Sequence, residues 1–523
     1  MRNDFQTSDA VRDGWWSRPG ALALLVMAST IPLLWPDIPP LTDLLGHMGR
    51  YRIQFDGAAS PTLRRFFDFE WALIGNLGVD LLVMPLAPLL GFERAVKLIM
   101  VAIPALTAAG FLWTAREAHG RVPPTALFTL PLAYGFPFQF GFANFVFSVA
   151  LAFIALAFWL RLSRLGRTRV RAAAFPVISL VLWVAHVFGW AILCLLAFAA
   201  AFSAARDTGR GLVAAGLRAA RDCLPLAPPL FLMILWRSGE AGGQTGDWFN
   251  LSVKMLYLLK ALSDRAMTFD IASVAVIVAL LVTAVIGKAF AWSRALGLGA
   301  MLLATVYLLL PRVLLGSAYA DMRLAPYLLA VALLAVRPAT TASPNFVRAL
   351  AVAAMVFFTM RTAATTVSFA GYHRSFAAEL AALDHVPVGA RVVALVGKTC
   401  GMPWSTARLD HLPAMAIVRR HAFVNDQWTL AGAQLLRVRA PDPRFAGDPS
   451  QLVASNGCNH REWRDVDAAL RLVPRGAFDY LWLVDPPAYD ARLTAGLQRV
   501  WSNDRSALFR ISPPAAARTP ASK

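Results

Sequence analysis

The stretch Trp71-Ala-Leu-Ile-Gly-Asn-Leu-Gly-Val-Asp-Leu-Leu-Val-Met-Pro-Leu-Ala-Pro-Leu-Leu90 decides how this chain is arranged. It is long and apolar enough to be read as a membrane crossing, and counting or omitting it flips the side of every later segment. Arginine settles the choice. If 71–90 crosses, then Arg161, Arg164, Arg167, Arg169 and Arg171 fall outside, together with Arg206, Arg210, Arg218 and Arg221. That places the two most basic loops against the positive-inside rule. If it instead lies along the outer surface, both clusters fall inside, as do Arg116, Arg121, Lys288, Arg294, Arg337 and Arg348. The segment carries Asn76, Asp80 and two prolines, which suits an interfacial helix better than a span.

Working outward, apolar runs suited to crossing a bilayer lie near 19–36, 94–113, 123–140, 143–161, 172–189, 190–205, 222–236, 270–287, 296–315, 323–337 and 346–368. The expected fold is an all-α polytopic membrane bundle of about eleven transmembrane helices with a small C-terminal α/β domain. Composition agrees. Hydrophobic residues make up 58% of 523 and charged residues 15%, more apolar surface than a soluble core can hide. The net charge of +19 comes largely from arginines between apolar runs, which argues against nucleic acid as a partner. The first run reads as an uncleaved signal-anchor, with Arg2, Arg12 and Arg18 held inside. The N-terminus is then cytoplasmic, in a bacterial inner membrane, and the loop 37–93 and the domain 372–512 are periplasmic.

The C-terminal part has its own grammar. Arg391–Val396, Phe478–Val484 and Ala507–Ile511 are β-rich, Ala377–Asp384 reads as a short helix, and helical patterns fall near 463–473 and 489–500. Residues 513–523, rich in Pro, Ala and Ser, read as a disordered end. Cys194 and Cys223 sit in or beside apolar runs as small hydrophobes. Cys400 and Cys458 share the C-terminal domain, where a disulfide is allowed but not dictated.

Chemistry concentrates in the first outer loop. Asp43, His47 and Arg50 recur at spacings of four and three, which sets them on one helical face. A carboxylate there, beside His and Arg, suits a general base or a metal ligand, or simply the solvated face of an interfacial helix. Downstream come Asn76-Leu-Gly-Val-Asp80, then Gly141-Phe-Ala-Asn-Phe145 with its aromatic neighbours, then His186 at the outer end of a span. Tyr319-Ala-Asp-Met-Arg323 places an arginine at headgroup depth, able to bind a phosphate, or to snorkel and pair with Asp321.

A span, an acidic residue just outside it, a long loop with a surface helix, a further bundle and an outer soluble domain together resemble the GT-C glycosyltransferase superfamily. The strings around Asp43, Asn76–Asp80 and Gly141–Phe145 are similar to a poorly characterised bacterial branch of it, over roughly residues 15–370. The resemblance implies an inverting transfer of a sugar from a polyprenyl-phosphate donor to a lipid, glycan or protein acceptor. It implies Asp43 as base, and Arg323 resembles the arginine such proteins place before a late span, on the donor phosphate. His47 is read as orienting Asp43 or contacting the donor phosphate, and Arg50 and Arg52 as weaker phosphate candidates. Asn76, Asp80, Asn144, His186 and Asp321 would shape the cavity. Divalent metal dependence (Mg2+ or Mn2+) stays open. The residues leave two rivals standing: a flippase for a lipid-linked glycan, and a non-catalytic envelope assembly protein. Histidines 373, 385, 411, 421 and 460 show no metal-ligand spacing, and no P-loop, dinucleotide fingerprint or serine elbow occurs. Gly239–Gly246 reads as a mobile outer loop.

Overall fold

The computed structural model describes residues 14–237, 244–401, 403–429, 435–458, 460 and 462–511. Arg2 and Arg12, positions 239–243 of the glycine-rich loop and the 513–523 end lie outside the described residues.

Among the described residues, six helices are long and apolar enough to cross a membrane: Phe92–His119, Ala143–Arg164, Thr168–Ala185, Val187–Asp207, Met267–Ile286 and the last, which starts at Pro344. Shorter apolar helices cover Pro19–Leu33, Gly78–Leu90, Leu224–Ile234, Arg294–Leu309 and Met322–Ala335. The break between two of the long helices falls at His186, whose extended backbone ends one and caps the next.

The helix Gly78–Leu90 does not cross. Its first turn is tied to the start of the Ala143–Arg164 helix, where the Asn144 side chain accepts a hydrogen bond from the Val79 amide at 2.6 Å. Its end turns at Gly91, which adopts φ +83°, straight into Phe92. Phe92 packs on Phe55 of the first loop, and neighbouring Glu93 pairs with Arg419 of the C-terminal domain. Both ends therefore lie on one face, and Leu81, Leu89 and Leu90 remain exposed along its outer side. This is the geometry of a surface helix.

The opposite face gathers the basic turns. His119 bonds the Leu334 carbonyl at 2.8 Å, Arg164 pairs with Glu117, and Arg294 pairs with Asp207. A short antiparallel pair, Phe290–Trp292 with Val336–Pro338, closes two further turns there. Asp43, the surface helix and the C-terminal domain occupy one face, and the arginine clusters the other.

One expected span is corrected. Residues 123–140 form no continuous helix but the short pieces Pro124–Leu127, Leu130–Tyr134 and Phe136–Phe140. Prolines 124, 131 and 137 interrupt it. It still passes from one face to the other. Thr125 donates to the Val336 carbonyl, Gly135 lies against Pro326, and Phe140 reaches Tyr319. Residues 122–139 are all buried. Broken backbone is tolerated at membrane depth when protein, not lipid, surrounds it.

The C-terminal domain is built on a six-stranded sheet in the order Arg464–Asp465, Leu452–Ala454, Val392–Lys398, Tyr480–Val484, Ala507–Arg510, Gln498–Ser502. The first four strands are parallel and the last two antiparallel. Val392–Val396 pairs in register with Tyr480–Val484, and every one of these residues is buried. Continuous apolar runs are what a strand covered on both faces requires. Two expectations fail here. The 489–500 pattern is not a helix but a single 3-10 turn followed by the edge strand, which returns to pair with Ala507–Arg510. Ala377–Asp384 is not a separate helix either. The last membrane helix runs without a break from Pro344 to Leu380, so the boundary at 372 falls inside it. Cys400 and Cys458 are disulfide-bonded.

The domain is clamped to the bundle. Phe67–Phe69 of the first loop pairs antiparallel with Leu436–Val438. The helix Leu44–Asp56 packs its two glycine positions on the domain. A methyl group on Gly46 would meet the Trp428 ring at 2.6 Å, and one on Gly49 would meet Gln427 at 2.7 Å.

Candidate functional site

Asp43 stands at the N-terminus of the Leu44–Asp56 helix, partly exposed, with no capping bond from its side chain. Its position is fixed through the backbone: the Asp43 amide donates to the Phe140 carbonyl at 2.8 Å. Gly141, at φ +96°, lets the two chains approach this closely, since a Cβ there would sit 2.8 Å from the Asp43 nitrogen. The glycine of the 141–145 string is thus required twice, by conformation and by space.

Desolvation, reinforced by the carboxylates of Asp448 and Asp410, holds the Asp43 carboxyl well above the usual carboxylate range. Arg323 and Lys398 pull it back down. Asp410, Asp448 and Lys398 belong to the C-terminal domain. Lys398 is the last residue of the strand Val392–Lys398 and pairs with Asp410 at 2.6 Å. It therefore lies at the carboxyl end of a central parallel strand, the edge at which open α/β sheets receive ligands.

His47, one turn along from Asp43, stacks with Tyr51 and packs 4.9 Å from Trp428, whose other neighbour is His411 at 4.3 Å. Burial and the nearby Arg50 hold the His47 imidazole well below its usual range, so it is neutral at pH 7. Its Nδ1 is buried without a hydrogen-bond partner among the described residues.

Arg323 lies in the short 3-10 turn Met322–Leu324. Its guanidinium stands 4.3 Å from the Phe142 ring centroid and about 6 Å from those of Phe145 and Phe188. It donates to the Ser317 hydroxyl at 3.1 Å, and its Nε is buried without a partner. Among the described residues no carboxylate lies within ion-pair distance of it. Asp321, expected beside it, instead holds Lys254 at 3.0 Å in a buried pair, and that ammonium also donates to the carbonyls of Tyr307 and Leu310.

Arg50, expected on the donor phosphate, donates instead to both oxygens of Asp80, at 2.9 and 3.1 Å. Asp80 also accepts from Gln54 and from Asn144. The Asn144 amide donates in turn to Asn76. Arg50, Asp80, Asn144 and Asn76 form one buried network that joins the first-loop helix, the surface helix and the 143–164 helix. Arg52 pairs with Asp56 and packs on Phe92. His186 accepts from the Phe188 amide through Nδ1, and its ring contacts Phe145 and Phe188, two of the rings around Arg323.

Sequence reasoning expects the C-terminal domain to recognise the acceptor or cover the site, but it missed the residue that ties the domain to the first loop. Arg408 is buried and donates to the carbonyls of Pro40 and Gln139, to the Gln139 side chain and to Asp264. Pro40 and Gln139 flank the two chain segments that meet at Asp43. Asp264 is bound to Ser368, while Asp270 takes Arg361 and the Trp404 indole. The charges at 398–411 were visible in the sequence, but nothing in their spacing pointed to the first loop.

No cluster of three or more His, Cys, Asp or Glu side chains that could hold a metal ion occurs among the described residues.

No family model matches the chain, and no curated protein matches it. Two solved structures match it over 94% of this chain and 97% of theirs: ArnT from Cupriavidus metallidurans bound to undecaprenyl phosphate, at 13% identity and TM-score 0.49, and ArnT from the same organism in the apo state, at 15% and 0.48.

Proposed function

We propose that the chain is a GT-C type glycosyltransferase of the bacterial inner membrane, moving a sugar from a polyprenyl-phosphate donor to an acceptor hydroxyl or amine with inversion. One observation carries the reading. Asp43, a carboxylate whose proton affinity is raised by burial at the seam between bundle and domain, lies within electrostatic reach of Arg323, an arginine caged by phenylalanine rings and without an acidic partner among the described residues. In the transfer, Asp43 takes the proton from the acceptor as its oxygen or nitrogen bonds to the anomeric carbon. The bond from that carbon to the phosphate oxygen breaks, and the electron pair leaves on the lipid phosphate. A base needs a pKa close to the working pH, and the shift of Asp43 is in that direction. Arg323, desolvated by phenylalanine rings, suits the phosphate, because charge-assisted bonds strengthen where water is excluded. His47, neutral, positions the turn that carries Asp43. The acceptor approaches along the C-terminal domain, near Lys398.

The compartments follow the charge asymmetry. The arginine-rich face is cytoplasmic, and the Asp43 face, with its Cys400–Cys458 bridge, is periplasmic. Reporters fused after Arg171 and after Tyr372 should read cytoplasmic and periplasmic respectively.

The decisive experiment reconstitutes the wild type and Asp43→Asn in liposomes with a panel of undecaprenyl-phosphate sugars, after mass spectrometry of envelope glycans from a deletion strain has narrowed the choice. Loss of transfer with normal folding and normal lipid-phosphate binding supports the reading. Transfer retained by Asp43→Asn removes Asp43 as base, and lipid translocation without transfer by the wild type would favour a flippase.

A further inference from the structure

An apolar recess lies on the arginine-rich side of the bundle, away from Asp43. It has a volume of about 940 Å³ and opens between the helices Val187–Asp207, Met267–Ile286, Arg294–Leu309 and Ala325–Ala335. Its floor is made of small residues, Gly297, Ala300, Ala304 and Ala332, and its walls include Phe202 and Met301. A Cβ added at Gly297 would meet nothing within 4 Å, so the space above this position is open. Met301, at 62% exposure, and Val285, at 71%, present apolar surface at its edge.

The rim is different. Arg206, Arg294 and Trp292 stand at its end on the arginine-rich face. The Arg294 side chain is 84% exposed, with only Asp207, itself half exposed, beside it. Arg206 is turned onto the backbone carbonyl of Arg210. Two arginines, Arg206 and Arg294, against one aspartate, Asp207, leave the rim cationic, above an apolar trough lined by small side chains.

We propose that this recess is a binding site for an anionic phospholipid of the leaflet on the arginine-rich face. An acyl chain lies in the trough over Gly297 and Ala304, and the headgroup phosphate is held by Arg206 and Arg294. Small residues between helices open such troughs by letting backbones stand close without filling the space between them. Basic pockets between membrane helices on the cytoplasmic side select lipid phosphates, and guanidinium groups match phosphate geometry. Trp292 supplies the amphipathic ring expected at headgroup depth. A second copy of the chain is disfavoured, because an apolar helix seated here would have to cover the exposed Arg294. The site is independent of the transfer reaction and lies on the other leaflet.

The test uses full-length protein in detergent, titrated with phosphatidylglycerol or phosphatidylcholine and read by native mass spectrometry. The wild type should retain phosphatidylglycerol preferentially. Gly297→Trp, which fills the trough, should weaken the tightest step by roughly tenfold. Ala304→Phe serves the same purpose should the first variant fail to fold. The double variant Arg206→Ser/Arg294→Ser should bind both lipids alike. Equal retention of the two lipids by the wild type, undiminished phosphatidylglycerol binding in the filled variants, or a doubled particle mass would overturn the proposal.

Discussion

Two Arg–Asp combinations stand near the first-loop helix, and they are built in opposite ways. Arg50 and Asp80 are closed on each other: bidentate, almost without solvent access, with Gln54 and Asn144 filling the remaining valences of the carboxylate. Arg323 and Asp43 feel each other's charge but form no ion pair among the described residues, and both are partly exposed. The same two residue types give a structural clamp in one place and an open pair in the other. A buried ion pair recovers its desolvation cost only when every bond is made. A pair left incomplete keeps donor and acceptor capacity for something else.

The comparison is sharpest in the paired neutral variants. Asp43→Asn should lower transfer by about 10²–10⁴-fold, the range for loss of a general base, while thermal unfolding in detergent stays near wild type. Asp80→Asn should do the reverse, costing roughly 3–5 kcal/mol of stability by stranding Arg50, with activity per folded molecule largely kept. Similar melting losses in both would end the distinction.

Arg408 tests whether the open pair depends on the C-terminal domain. Arg408→Met removes the bonds to Pro40 and Gln139. Displacement of Asp43 by about 1 Å should cost on the order of 10²-fold in kcat. Limited proteolysis should then cut between bundle and domain faster than in the wild type, and unchanged digestion with unchanged kcat would remove Arg408 from the argument.

Arg323→Met should weaken binding of undecaprenyl phosphate by about tenfold or more, the worth of one charged hydrogen bond, whereas Arg323→Lys should restore part of it. Because Arg323 lowers the proton affinity of Asp43, its loss should also move the acid limb of kcat/KM to higher pH. The smallest effect is expected from Asp448→Asn. A base works only when deprotonated, so transfer rises as pH passes upward through the pKa of Asp43. Removing the like charge of Asp448 lowers that pKa and should shift the limb to lower pH. A shift in the opposite direction would show that the limb belongs to another group.

Much of this was readable from the residues in order. The lengths of apolar runs and the spacing of arginines placed nearly every segment on its face, including the non-crossing helix Gly78–Leu90. They failed at 123–140, where composition resembled a span but three prolines prevented a regular helix. They failed again at 489–500, whose apolar spacing suits an edge strand as well as a helix until the partner strand is known. The candidate base was legible because an acid just beyond an apolar run stands out. Arg323 could be placed ahead of Arg50 by its position before a late span, but that Arg50 is already taken by Asp80 could not be read from the residues in order.

Hydrophobic run length and charge, which report where a residue sits relative to the bilayer, are properties of neighbours along the chain, and they determined the bundle, its two faces and Asp43. Which arginine is already spent, and which distant group fixes the loop that carries Asp43, depends on partners far apart in sequence. Arg408 lies 368 residues from Pro40 and 269 from Gln139, and Arg50 lies 30 from Asp80. Such pairings carry no periodic signature, and only folding the chain back on itself decides them.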